Sequence, residues 1–145
     1  MFKSVKDGKL PTKGSKHAAC VDLYAREEIV IDAGQITLIP LGVAIDEDIL
    51  IESIEDIESF KSTHYLQLML RSSTSKHLII ANGVGVIDLD YKDEIMIRVY
   101  NPLSQYIVAK GDKIAQITLL EQKVNLFNIH TEDERNGGFG STGKR

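Results

Sequence analysis

Residues 95–101 read IMIRVYN, and this stretch decides how the rest of the chain is parsed. Ile95, Ile97 and Val99 share one side of a period-two pattern. Side chains of an extended strand alternate between faces, so the pattern predicts a half-buried β-strand. The same reading spreads outward. Residues 66–70 (LQLML) and 114–120 (IAQITLL) have the same character, and Ile29 and Ile31 alternate with polar or small neighbours. Residues 35–41 (QITLIPL) are rich in β-branched and apolar side chains, and residues 124–129 are read as a last strand. Short strands separated by Gly, Pro, Asn and Asp predict an all-β sandwich or barrel.

Two segments depart from that pattern. In residues 49–60 (ILIESIEDIESF), Ile51, Ile54, Ile57 and Phe60 recur every three positions with glutamates between them. That spacing predicts one short amphipathic helix, packed on the sheet or offering a surface to a regulatory protein partner. From Arg135 onward the chain reads RNGGFGSTGKR, with no hydrophobic period. Composition alone makes this a flexible terminus. The single aromatic, Phe139, points instead to a tail that stacks on something.

The 145 residues are enough for one domain with a real core. No apolar run approaches the roughly 20 residues of a membrane helix, and the first residues, MFKSVKDGKL, lack a signal-peptide core. One cysteine, Cys20, cannot form an internal disulfide, and there is no Cys/His spacing for zinc. A reducing, cytoplasmic setting is therefore expected. The net charge of −4 argues against a broad nucleic-acid surface. It leaves room for a small anionic ligand held by local donors and a divalent cation.

Residues 82–91 (NGVGVIDLDY) concentrate chemistry. Asn82 offers a donor and an acceptor, which suits a pyrimidine edge. Gly83 and Gly85 allow close backbone approach to a planar ligand. Asp88, among Val86, Ile87 and Leu89, could orient and deprotonate a water. Tyr91 presents a flat face. A tight β-hairpin with turn-type Asn, Gly and Asp explains the same residues, and composition does not choose between the two. Four other segments could serve an anion. Arg71, Ser72 and Ser73 open a run of small residues after a strand, with a forked guanidinium and hydroxyl donors. Gln116 lies mid-strand beyond the turn at residues 111–113, and Asp22 places a carboxylate among small residues. Arg135, Ser141 and Thr142 supply donors in the tail.

These five segments, in this order, resemble the trimeric dUTP pyrophosphatase (dUTPase) family from about Ala18 to Gly143. The resemblance implies a jelly-roll-like β-barrel over residues 1–134 and a tail, residues 135–145, that closes an active site. It implies a homotrimer whose sites are shared between subunits, acting on no nucleic acid and no membrane. The implied reaction is hydrolysis of dUTP to dUMP and pyrophosphate, which keeps uracil out of DNA and supplies dUMP for dTMP synthesis. Asp88 matches the general base, and Asp22 the residue that meets Mg²⁺ through water. Arg71, Ser72, Ser73 and Gln116 match phosphate contacts. Asn82, with the backbone of Gly85 and Ile87, matches the uracil reader, and Tyr91 the deoxyribose platform. Phe139 matches the ring that stacks on uracil, while Arg135, Ser141 and Thr142 match donors to the β- and γ-phosphates. A viral or phage form would work in the host cytoplasm. Related dCTP deaminases carry a glutamate ten residues after the matching Asp, where this chain has Arg98. A proton relay cannot run through that position, so deamination is the weaker reading.

Overall fold

The computed structural model describes residues 1–135 and 137. Strands form where the alternation puts them. β9 (Met96–Tyr100) buries Ile97 and Val99, and Ile95 just ahead of it is also buried. β6 (His64–Leu70) buries Leu66 and Leu68, and β11 (Lys113–Glu121) buries Ile114, Ala115 and Ile117. With β2 (Val21–Tyr24) and β8 (Gly85–Asp88) these make a sheet in the order β2-β11-β6-β8. A second sheet has the order β4-β9-β7, from β4 (Ile36–Pro40) and β7 (Ile79–Ile80). Two pairs complete the fold: β1 (Phe2–Ser4) with β5 (Val43–Ile45), and β3 (Ile29–Ile31) with β10 (Tyr106–Val108). Every pairing is antiparallel. The all-β, jelly-roll-like architecture therefore holds. Its wall consists of four short sheets around one core of Leu23, Ile31, Ile39, Leu66, Leu68 and Ile97 with their neighbours.

Three local readings are corrected. The amphipathic stretch forms two helices, α1 (Glu47–Ser53) and α2 (Ile57–Thr63). Each begins on an aspartate whose carboxylate accepts a backbone N–H: Asp46 from Ile49 and Asp56 from Ser59. Such a cap needs a non-helical backbone at the capping residue. Asp56 therefore interrupts the pattern, and Ile54 is extended at φ −120°. The three-residue stripe is broken as a result. Leu50 is the buried side chain of α1, Ile51 is exposed, and Ile57 and Phe60 pack against the core. Lys61 and Glu47, 2.6 Å apart, tie the two helices together.

Residues 124–129 do not extend the sheet. Val124–Phe127 form a 3-10 turn, closed at Asn128 in the left-handed region (φ 57°), which asparagine tolerates better than most residues. The hairpin reading of residues 82–91 is also corrected. β7 pairs with β9, whereas β8 pairs with β6, so residues 81–84 carry the chain from one sheet to another. Gly83, at φ +78°, makes that corner, and the Val84 N–H donates to the Asn82 carbonyl at 2.9 Å.

Just ahead of β9 lies a buried ion pair. Glu94 is 7% exposed, and its carboxylate accepts from Arg26 Nε at 2.7 Å, Arg26 Nη2 at 3.2 Å and the Gly42 N–H at 2.8 Å. The bond to Glu94 holds the Arg26 guanidinium above its ordinary pKa. Removing one member of such a pair strands the other charge. Glu94→Ala is expected to lower stability by about 2–3 kcal/mol, less than for a wholly enclosed pair because Arg26 keeps some solvent contact. Urea unfolding of the two proteins measures this, and a change below about 0.5 kcal/mol would remove Glu94 as a structural clamp.

Candidate active site

The residues singled out in the sequence gather at two places. The first is the end of the large sheet where β6 runs out. Asp22 on β2 faces Gln116 on β11, and Gln116 faces Met69 on β6. The Gln116 amide donates to the Leu70 carbonyl at 3.0 Å, which fixes its direction. Arg71 Nε lies 3.0 Å from Asp22 Oδ1. Among the described residues the forked Nη pair of Arg71 takes no partner. Ser72 and Ser73 follow in an exposed turn, held by Ser75, whose hydroxyl donates to the Ser72 carbonyl at 2.7 Å. Beside this turn is a cavity of about 320 Å³ that includes Arg71, Ser73, His77 and Lys113. His77 stacks on Tyr106 with ring centroids 4.8 Å apart. Lys113 and His77 were not singled out by the sequence. Lys113 precedes Gln116 by three residues at the start of the same strand, which was the available signal.

The second place surrounds the corner. A cavity of about 190 Å³ is lined by Asn82, Gly85, Ile87, Tyr91, Arg98 and Arg135, among others. Gly85 is buried against β6, where an added Cβ would lie 2.9 Å from Leu68 Cβ. Asp88 and Val86 stand on the exposed face of β8, and Gly85 and Ile87 on the buried one. Tyr91 is 7% exposed, and its hydroxyl donates to the Glu94 carbonyl at 3.0 Å. Burial pushes the Tyr91 phenol upward, with Asp93 adding to it, so the ring stays neutral over the working range. Asp88 also borders a larger groove, about 790 Å³, whose far wall includes Lys61 of α2.

Arg135 lies beside Asp88, with Nη1 2.9 Å from Asp88 Oδ2. Phe139, Ser141 and Thr142 lie outside the described residues.

The two places are far apart. Asp88 faces Tyr65 on β6, while Arg71 follows Leu70 at the other end of that strand. At about 3.3 Å per residue, roughly 20 Å separates them. Within this chain the two sets are therefore not neighbours.

No three His, Cys, Asp or Glu side chains gather as a metal set among the described residues. Asp22 does offer one carboxylate beside Arg71. That fits a hard, partly hydrated cation carried mainly by ligand phosphates, as Mg²⁺ commonly is, and does not fit an all-protein cage.

The contact at Gly85 gives a direct check on the corner. Gly85→Ala should force β8 away from Leu68 and cost about 1–3 kcal/mol, as overpacking typically does. Thermal and urea unfolding would measure it, and an unchanged stability would mean that the strands have slack at this point.

Known proteins of one family resemble this chain. A dUTPase family model matches residues 56–143. The chain is 40% identical over 144 residues to the deoxyuridine 5'-triphosphate nucleotidohydrolase of Desulfitobacterium hafniense, covering 93% of this chain and 87% of that one. It is 38% identical to the protein of that name from Rickettsia akari, covering 94% and 89%. The crystal structure of dUTPase from Streptococcus mutans superposes with a TM-score of 0.66 at 27% identity, over 83% of this chain and 94% of that one. A mutant dUTPase from phage phi11 of S. aureus, solved with a structural Mg(II) ion, has a TM-score of 0.67 over 97% and 98%. Its 19% identity speaks for the fold alone. With a family match over more than half its length and relatives aligned almost end to end, the chain belongs to the dUTPase family.

Proposed function

We propose that this protein hydrolyses dUTP to dUMP and pyrophosphate in sites assembled from more than one subunit. The observation that carries the shared site is the roughly 20 Å between Asp88 and Arg71 within one chain, set by strand spacing along β6. A homotrimer of the family's kind brings the corner of one subunit to the sheet end of another. Exposed apolar side chains outside both places, such as Ile36, Ile79 and Leu103, supply surface for such contacts.

In this reading the uracil edge meets the Asn82 amide and the backbone of Gly85 and Ile87. Cytosine presents the opposite donor–acceptor pattern and would leave those groups unpaired. Tyr91 underlies the sugar. Arg71, Ser72, Ser73 and Gln116 of a neighbouring subunit hold the phosphates, with Lys113 close by. Asp88 accepts a proton from a water that attacks the α-phosphorus, while the α–β phosphoanhydride bond breaks and pyrophosphate leaves. Asp22 is the carboxylate suited to meet a hydrated Mg²⁺. That ion, when bound, neutralises phosphate charge and aligns the chain of phosphates. The backbone, Arg and hydroxyl donors stabilise negative charge as it develops. Residues 135–145 complete the enclosure and exclude bulk water, with Phe139 over the base and Ser141 and Thr142 toward the phosphates. No described helix is long and apolar enough to cross a membrane.

Pyrophosphate release should be far faster from dUTP than from dCTP, dTTP or UTP, and should require Mg²⁺. Ammonia release from dCTP would move the protein to the deaminases. Asp88→Asn should lower turnover by at least about 10²-fold with dUTP affinity kept, within the usual range for losing a general base. An active Asp88→Asn protein would remove Asp88 from that role. The shared site has its own test. Asp88→Asn and Arg71→Ala proteins, each inactive alone, should regain activity when mixed, dissociated and reassembled. Failure of the mixture under conditions that restore the wild type would place the whole site in one chain.

A further inference from the structure

Arg135 lies in the same cavity that the functional reading gives to the nucleoside. It shares that cavity with Asn82, Gly85 and Tyr91. Its Cζ is 5.3 Å from the centre of the Tyr91 ring, within cation–π range. Its Nη1 is 2.9 Å from Asp88 Oδ2 and 3.6 Å from Asp90 Oδ1. Asp90 Oδ1 is buried and makes no hydrogen bond, and the guanidinium is a positive charge 3.6 Å away that helps to compensate it. One side chain therefore meets a ring that lines the cavity and two carboxylates that stand beside it.

We propose that Arg135 occupies the nucleoside seat of its own chain when no ligand is bound, and that substrate must displace it. A planar cation over Tyr91 fills the space a deoxyribose would take. Its bond to Asp88 engages the carboxylate that the reaction needs for water. The side chains are only partly enclosed, Arg135 at 27% and Asp88 at 63% exposed, so the contact is weak enough to exchange. Whatever fraction of molecules keeps Arg135 seated lowers the apparent affinity for nucleoside by that fraction. Once displaced, the guanidinium is free to follow the phosphates, and the seat and the phosphate contact become two stations of one residue.

This rests on the nucleoside reading of the cavity, and the test separates the two. Deoxyuridine carries no phosphate, so a purely phosphate-binding Arg135 cannot affect its affinity. Arg135→Ala should bind deoxyuridine about 2- to 5-fold more tightly in an NMR titration, the size expected for relief of a partly exposed ion pair. Arg135→Lys, which keeps the charge without the planar fork, should fall between. Unchanged or weaker binding by Arg135→Ala overturns the proposal. A second measurement does not need a nucleoside. The Arg135 Nη–H protons, one of which meets Asp88 Oδ2, should exchange with water more slowly in the free protein than in Asp88→Ala. If deoxyuridine does not bind the wild type, the nucleoside reading falls, and this signal still decides the seat. Nη–H protons indifferent to Asp88→Ala overturn the seat itself.

Discussion

Everything that concerns function here depends on how β6 is paired. It is hydrogen-bonded to β11 on one side and β8 on the other, and strand geometry then leaves no freedom in where the two functional sets lie. Asp88 is locked opposite Tyr65, and Gln116 opposite Met69. A shift of one residue in either register would turn Asp88 from the exposed face into the core. Leu66 and Leu68 prevent that shift, because slipping would carry both into solvent. The same apolar pair that stabilises the fold thus sets the distance between Asp88 and Gln116 along the sheet.

Charge is handled differently at the two ends. Asp22 and Arg71 neutralise each other through Nε, which leaves the forked end of the guanidinium for an anion. At the corner, Asp88 and Asp90 stand close together and draw Arg135 between them. Ahead of β9, the Glu94–Arg26 pair is of another kind: it is buried, it also receives the Gly42 N–H, and it anchors the segment that carries Tyr91. The Arg135–Asp88 pair is the most open to solvent, the Glu94–Arg26 pair the most enclosed, and the Arg71–Asp22 pair lies between, with its carboxylate buried. An open pair exchanges partners at low cost, whereas an enclosed one is costly to break.

Much of this was legible in the residues. Ile95, Ile97 and Val99 marked a half-buried strand, and the structure buries all three. The five ordered segments led to the dUTPase family, which the relatives bear out. Where the reading failed, side-chain periodicity was the wrong guide. The Ile51, Ile54, Ile57 and Phe60 stripe ignored the capping aspartates, and Asp56 ended the period by hydrogen-bonding Ser59. The run at residues 124–129 looked like a strand because apolar content does not distinguish a strand from a short helical turn. The segment at 82–91 looked like a hairpin because turn residues serve a corner between sheets as well as a tight loop.

The sequence by itself determined which groups the chain carries and in what order: the Asp88 carboxylate, the Asn82 amide, and the arginine, serine and glutamine donors of the other segments. Those properties belong to residue types and spacings, which need no partner to be read. Only the tertiary structure decided which residues meet. Strand pairing holds Asp88 roughly 20 Å from Arg71, since each residue of β6 adds about 3.3 Å between them. It also brings Arg135, 47 positions away in the chain, onto Asp88. Contacts of that separation depend on the whole fold closing around them, and no local pattern encodes them.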